Sequence, residues 1–460
     1  MVPCYGGHAD VAALLGDLAA LDLAGIELTV TLADNASEVP IATVPVPPGL
    51  AVDVVRLGVN GGGSAGFNAA MREVIEGRGT HEERPAPDFL LLLDSDVRVA
   101  SGALGVLVDV LSSEPGLVGV GAELRDPQSG ATYEIGANIC PETAASIPAA
   151  GADVEPPQLV RCHYVAACCA LVRREAVERT GLMPELFLYF DDIDWCLALS
   201  RESGLAFAGV PGAIAYHPWW WRRLVSAKRY FLARNAFGPM ERLGMSGAQR
   251  FDRAVREVGQ AVGLASLGQT GPAVDTIRGL ADAAGGKARG RGRWRPAKGR
   301  GARPIGELGV ALREALGRGE RIFIHPSFGE AWVGFDPVRE QVLAAGLDPG
   351  NYRIWHGGSI ASLVVASLAG AARRVFVGGT ADVAVVPLGW ATGWMHAPRT
   401  IAVAGMEFID VKPRLWRTLP VAAWIGASGL VHALRLRRRG PGVNPLPAVS
   451  PRRSGAGMPA

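Results

Sequence analysis

The sequence has almost no excess of charge of either sign: 46 Lys and Arg against 44 Asp and Glu leave +2 over 460 residues. A dedicated nucleic-acid binder carries a domain-wide basic excess, so that class is excluded and no nucleic-acid partner is expected. Cysteine is sparse, at six residues (Cys4, Cys140, Cys162, Cys168, Cys169 and Cys196), and none forms a Cys-x-x-Cys pair. So few in so long a chain do not make a disulfide framework, and a reducing, cytoplasmic setting fits better. No charged-then-apolar leader opens the chain; Met1-Val2-Pro3-Cys4-Tyr5 reads instead as the end of a first strand. The 60 Gly and 32 Pro follow no Gly-X-Y period, which excludes collagen, and no repeat of fixed period occurs. What is present, 49% hydrophobic and 20% charged residues, is the composition of a folded chain. At about 150 residues per domain it suggests two or three domains.

Apolar residues recur at helical spacing over residues 11–23. Residues 26–32, ending at Asp34-Asn35, and 52–57 read as strands, and 66–76 as a helix. Phe89–Leu93 is a continuous apolar run, the mark of a strand covered on both faces. Helix then fits 102–111 and strand 117–124. This alternation predicts an α/β fold, an open and mostly parallel sheet flanked by helices. Residues 160–172 read as one long strand, Arg174–Thr180 as a helix closed by Gly181, and Asp191–Ser203 as a helix stopped by Gly204.

The pattern changes after residue 244. Residues 246–284 read as helical and polar-sided, and 287–300 as a Gly-punctuated basic linker within a 245–305 segment, with contact to anionic lipid or polymer as its functional reading. Apolar segments at 321–325, 364–368, 375–377 and 383–386 predict a smaller C-terminal α/β region over 306–410, without a chemistry-bearing motif. Residues 418–434 carry no charge and are bracketed by Lys412, Arg414 and Arg417, and by Arg435, Arg437, Arg438 and Arg439. That is short for a membrane span, so a buried or interfacial helix with its arginines on lipid headgroups is favoured. Residues 411–460 thus form a membrane-proximal helix and, from 441, a disordered tail.

Chemistry concentrates in four places. Asp94-Ser95-Asp96 follows Phe89–Leu93 directly, so both carboxylates emerge at the carboxyl end of a strand, where open α/β sheets bind ligands. Two carboxylates so spaced can share Mg2+ or Mn2+, although Asp is also common where a solvated loop leaves a strand. Phe187-Leu188-Tyr189-Phe190-Asp191-Asp192-Ile193-Asp194 crowds acids at a helix start. One acid suffices for capping, and the surplus beside aromatics points to proton transfer. In Tyr216-His217-Pro218-Trp219-Trp220-Trp221, His217 could complete a metal site and the indoles could form a sugar-stacking wall. Asn60-Gly61-Gly62-Gly63-Ser64-Ala65-Gly66-Phe67-Asn68 contains G-x-G-x-x-G, so an NAD-binding Rossmann oxidoreductase has to be weighed. The motif follows the third apparent strand, however, and that reading leaves Asp96, Asp191, Asp192 and His217 idle.

In this order the motifs resemble the family-2 glycosyltransferases of the GT-A fold, over residues 1–244. The Asn60–Asn68 loop, Tyr189-Phe190-Asp191-Asp192, and His217-Pro218-Trp219-Trp220 with Tyr230-Phe231-Leu232-Ala233-Arg234-Asn235 look most like the bacterial galactofuranosyltransferase branch, with rhamnosyltransferases close behind. The resemblance implies a UDP- or dTDP-sugar donor, with Pro3, Cys4, Tyr5 and Asp34 at the base and ribose and Asn60, Gly66, Asn68 and Asp94 along the donor. It implies Mn2+ or Mg2+ held on the diphosphate by Asp94, Asp96 and His217. Asp192, paired with Asp191, would be the catalytic base, and Tyr189, Trp219 and Trp220 would meet the acceptor. One base and no covalent nucleophile make the expected reaction a single, inverting displacement. The expected acceptor is a cell-envelope glycan or a lipid-linked sugar at the inner face of the plasma membrane, with peripheral contact to anionic lipid. A nucleotide-sugar-binding scaffold without turnover is the alternative of another class.

Overall fold

The computed structural model describes residues 1–23, 25–77, 86–140, 146–150, 156, 158–218, 229–287, 290, 302–324, 336–347, 382–387, 399–404, 407–411 and 415–439. At the N-terminus β1 (Val2–Cys4), β2 (Thr29–Asp34) and β3 (Ala51–Arg56) pair in parallel in that order. Parallel neighbours need a crossover, and α1 (His8–Ala19) supplies the first. After β3 comes α2 (Gly63–Ile75). The Met1 ammonium donates to the Leu91 carbonyl oxygen (2.8 Å) and the Leu93 N–H to the Met1 carbonyl oxygen (3.1 Å), joining this sheet to β4 (Phe89–Leu93).

Beyond β4 the chain forms β5 (Arg98–Val99), α3 (Ala103–Ser113), β6 (Leu117–Arg125), β7 (Thr132–Ile135), the paired β8 (Ala137–Ile139) and β9 (Ser146–Pro148), β10 (Val160–Cys162), β11 (Cys169–Arg173), α4 (Arg174–Thr180), α5 (Asp191–Ser203) and β12 (Ala206–Tyr216). The second sheet runs β10-β12-β6-β11-β4, with β5 on β12 and β7 on β6. Among the described residues only β12 and β6 pair in parallel there, so the apolar pattern read the α/β class without announcing the antiparallel members. In β4, Leu90 and Leu92 face one core with Phe67, Met71 and Trp195, while Leu93 faces the other with Leu14, Leu107 and Leu111. Burial on both sides is why the strand reads as a continuous apolar run.

Residues 160–172 are not one strand. β10 pairs with β12 and β11 sits between β4 and β6, and the chain between them leaves the ladder. Tyr164, Val165 and Cys168 are buried there, so the stretch stays apolar although its backbone turns aside.

A helical layer follows: α6 (Arg229–Asn235), α7 (Phe237–Arg242), α8 (Gly247–Ser266) and α9 (Thr270–Ala284). Ser246 and Gln249 form a reciprocal capping box that starts α8. The C-terminal region holds β13 (Ala302–Pro304), α10 (Leu308–Gly317), β14 (Ile322–Ile324), α11 (Asp336–Ala344), β15 (Val383–Pro387), β16 (Arg399–Ala404) and β17 (Glu407–Val411), its sheet ordered β13-β17-β16-β15-β14 over a core of its own. The apolar segments 364–368 and 375–377, nearly all of the basic run 287–300 and the tail 441–460 lie outside the described residues.

Last comes α12 (Leu415–Arg438), seated on α8 and α9 with Ala422, Ile425, Ala433 and Leu436 buried in the same core as Leu264 and Ile277. Gly429 permits the approach: a Cβ there would lie 2.5 Å from Val258. Among the described residues no helix is long and apolar enough to cross a membrane.

Candidate functional site

The two-residue strand β5 assembles the first part of the site. It follows the Asp94-Ser95-Asp96 turn and pairs antiparallel with the end of β12, Val99 opposite Ala215 and Arg98 opposite Tyr216. That register sets the D-x-D turn beside His217. The His217 Nε2 lies 3.5 Å from Asp94 Oδ2 and 3.4 Å from Asp96 Oδ1, and one ligand atom from each residue falls within 4.8 Å of the others. Octahedral bonds of about 2.1 Å put neighbouring donors about 3 Å apart, so the spacing suits a divalent ion. Two carboxylates and an imidazole are a donor set that Mn2+ accepts readily. Burial works against a protonated His217, yet the hydrogen bond to Asp96 and the charges of Asp94 and Asp96 outweigh it and hold the imidazole above its ordinary pKa. The Tyr133 hydroxyl, on β7, lies 3.5 Å from Nδ1 and donates to the His217 carbonyl oxygen (3.3 Å), which orients the ring.

The second part is the start of α5. Phe187, Tyr189 and Phe190 take left-handed backbone angles (φ 73°, 63° and 66°), a conformation that costs a bulky residue about 1–3 kcal/mol. A buried pair on α6 holds them. The Asn235 Nδ2 donates to the carbonyl oxygens of Leu188 (2.8 Å), Tyr189 (3.0 Å) and Leu186 (3.3 Å). The Arg234 Nε donates to Asn235 Oδ1 (2.7 Å), which fixes the carboxamide so that its N–H groups face the loop, and Arg234 also donates to Leu186. From the other side the Gly63 N–H donates to the Phe187 carbonyl oxygen (2.9 Å). Gly62 (φ 85°) has no alternative, since a Cβ would fall 1.9 Å from that oxygen.

This loop presents Asp191 and Asp192. Burial raises both carboxyls above the ordinary carboxylate range; the charge of Asp192, and less that of Asp94, pushes Asp191 further. The N–H groups of Ala167 (3.3 Å) and Ile193 (2.8 Å) donate to Asp192, one to each oxygen, and partly offset its burial. The Ala167 donor comes from the segment that leaves the ladder between β10 and β11. Glu134, buried on β7, is pushed up to about 7 by burial and by the charge of Asp192, against the pull of His217.

The residues expected at the nucleotide divide. Pro3 is in β1, and Tyr5 just after it is 64% exposed. Asp34 is 1% exposed and accepts from the N–H groups of Ser37 (2.8 Å) and Ile41 (3.2 Å) and from Arg56, so its carboxyl sits below the usual range despite its burial. Asn60 Oδ1 accepts from the Gly62 N–H (2.9 Å) and shapes the Gly-rich turn. Gly66 lets α2 approach β1, as a Cβ would meet Pro3 at 2.6 Å and Asn35 at 2.7 Å. Asn68 is fully buried and exchanges two 2.9 Å hydrogen bonds with the Met183 backbone. The dinucleotide fingerprint fails in the same place. Its glycines, here Gly61, Gly63 and Gly66, must leave backbone open to a pyrophosphate, whereas the Gly63 N–H is taken by the Phe187 carbonyl oxygen and Gly66 packs on Pro3. Trp219 and Trp220 lie outside the described residues. Tyr189 borders the carboxylate pair, its phenol shifted up by burial and by Asp191.

Sequence reasoning missed Tyr133, Glu134 and Ala167, which carry no motif. It quoted Arg234-Asn235 without seeing what they hold.

The chain resembles, among solved structures, the mannosyltransferase PcManGT from Pyrobaculum calidifontis in complex with GDP-Man and Mn2+, at 17% identity over 61% of this chain and 74% of that one (TM-score 0.39). It also resembles S. aureus TarS 1-349 in complex with UDP-GlcNAc, at 14% identity over 62% and 79% (TM-score 0.41). At these scores the likeness carries no weight of its own. No curated protein matches the chain. The family model of glycosyltransferase like family 2 matches residues 1–231, half of the 460, and spans the Gly-rich loop, the D-x-D turn, the Asp191-Asp192 pair and His217. The chain therefore belongs to the glycosyltransferase-like family 2 and is a glycosyltransferase.

Proposed function

We propose that the chain transfers a sugar from a UDP- or dTDP-linked donor to a hydroxyl of a cell-envelope glycan or lipid-linked acceptor, with inversion at the anomeric carbon. The observation that carries this reading is the gathering of Asp94, Asp96 and His217 within 4.8 Å of one another, in electrostatic reach of the Asp191-Asp192 pair. Asp94, Asp96 and His217 would hold Mn2+ or Mg2+, which when bound neutralises charge developing on the departing diphosphate. Asp192 takes the proton of the acceptor hydroxyl as its oxygen attacks the anomeric carbon. The bond from that carbon to the phosphate oxygen breaks, and the electron pair leaves with the diphosphate. Asp191, raised further by its neighbours, stays protonated more readily and spares Asp192 a second negative charge. The buried thiols of Cys168, Cys169 and Cys196 are all pushed up, so none of them is an activated nucleophile, in keeping with the single displacement proposed. An acceptor of this kind lies at the inner face of the plasma membrane, and contact with anionic lipid belongs to the same reading.

The test is a saturation-transfer NMR screen of UDP- and dTDP-sugars with and without Mn2+, followed by a transfer assay on the donor that binds. Chelation should abolish transfer and addition of Mn2+ restore it. Asp192→Asn should keep donor binding while transfer falls by roughly 100-fold or more. Transfer at the original rate in Asp192→Asn removes the base assignment; no saturation by any sugar nucleotide removes the whole reading.

A further inference from the structure

The outer face of α12 departs from what a helix lying on a folded chain requires. Ala422, Ile425, Gly429, Ala433 and Leu436 recur at three- and four-residue spacing and form its buried stripe. A helix seated this way turns polar and charged residues to water. Here the exposed positions from 421 to 434 are Ala423, Trp424, Ala427, Leu430, Val431 and Leu434, all apolar, with Trp424 59% exposed. At the end of that face come Arg435 and Arg438, both exposed. Arg437 is instead drawn over the Phe251 ring, and Arg439 to the Ala283 carbonyl oxygen.

An apolar stripe with an indole near one end and guanidinium groups at the other matches the boundary between acyl chains and acidic headgroups. The aliphatic and indole groups enter the acyl side while the arginines reach phosphate. We propose that this face seats the chain on an anionic bilayer, with α12 lying in the plane of the interface. The pattern of charge and apolar surface carries the assignment; it rests on the transferase reading only for why the chain works at a membrane.

The experiment sediments the full chain with vesicles of phosphatidylcholine, with and without phosphatidylglycerol. Binding should appear with phosphatidylglycerol and weaken with salt. The pairs Trp424→Ser with Val431→Ser, and Arg435→Glu with Arg438→Glu, should each weaken it by roughly tenfold or more. The melting temperature should hold, since these side chains are exposed. A chain that ignores both kinds of vesicle overturns the proposal, as does binding indifferent to both pairs. Sedimentation velocity covers a second copy as occupant: a dimer that Trp424→Ser with Val431→Ser dissolves, without vesicle binding, also overturns it. Transfer to a water-soluble acceptor is measured in parallel. Vesicle binding in a chain that transfers nothing sinks the reaction and leaves the surface, and the reverse result sinks the surface alone.

Discussion

Asp191 is a buried carboxyl beside another, and this has a measurable effect on stability as well as on chemistry. Its folded-state pKa is raised, so its contribution to stability is fully present below the unfolded value of about 4 and is lost as pH rises through the folded value. Asp191→Asn escapes that loss. In metal-free buffer its melting temperature should exceed that of the parent by roughly 2–4 °C at pH 8, with the gap closing toward pH 4. A thermal melt at both pH values checks this, and a gap that widens toward acid contradicts it. Because burial also raises Asp192, the rate of transfer should climb with pH along an acid limb above about 4, the ordinary carboxylate value. At this scale the sequence was legible where charged residues stand at element ends: Asp94, Asp96 and His217 are gathered, and Asp191 and Asp192 open α5. It was opaque where a polar side chain clamps backbone, as Asn68 does at Met183, because the same amide could equally well face a ligand.

The loop that enters α5 is held in an unfavourable conformation by two elements far away in sequence, the turn before α2 and the end of α6. Gly62→Ala drives a Cβ to within 1.9 Å of the Phe187 oxygen at φ 85°, so it should lower the yield of folded protein sharply. Asn235→Ala takes the carboxamide donor from the half-buried Leu188 and Tyr189 carbonyl oxygens, while Leu186 keeps Arg234, at a cost of about 1–3 kcal/mol. It should lower kcat more than the donor KM, since what it loosens is the aim of Asp192. An unchanged kcat would show that the left-handed loop holds its shape without the carboxamide. The helices of this region were readable from periodicity and from Gly181 and Gly204. The break in residues 160–172 was not. Burial on both sides keeps a run apolar whether its backbone pairs with neighbours or turns to offer Ala167 N–H to a carboxylate.

Across the whole molecule, α12 closes the core begun by the first sheet, although it lies near the other end of the chain. Gly247 accepts its approach, a Cβ there lying 2.3 Å from the Arg437 oxygen, and Arg250 donates to the carbonyl oxygens of Leu436 and Arg439. A chain ending at residue 414 would bare the stripe around Leu264 and Ile277, so it should melt earlier and partition into the insoluble fraction. Equal stability by thermal melt would mean that α8 and α9 need no cover. The sequence announced α12 as an uncharged segment between arginines but not the surface it covers, because periodicity gives a helix its faces and not its neighbour.

The clasp between β5 and β12 also sets a timetable. Both aspartates of the D-x-D turn leave the ribosome long before the imidazole that completes their trio, and the strand that delivers it is the last of its sheet to be made. A nascent chain halted before Tyr216 carries the two acids without the imidazole, so under the proposed reading a cation site would be complete only once β12 has delivered His217.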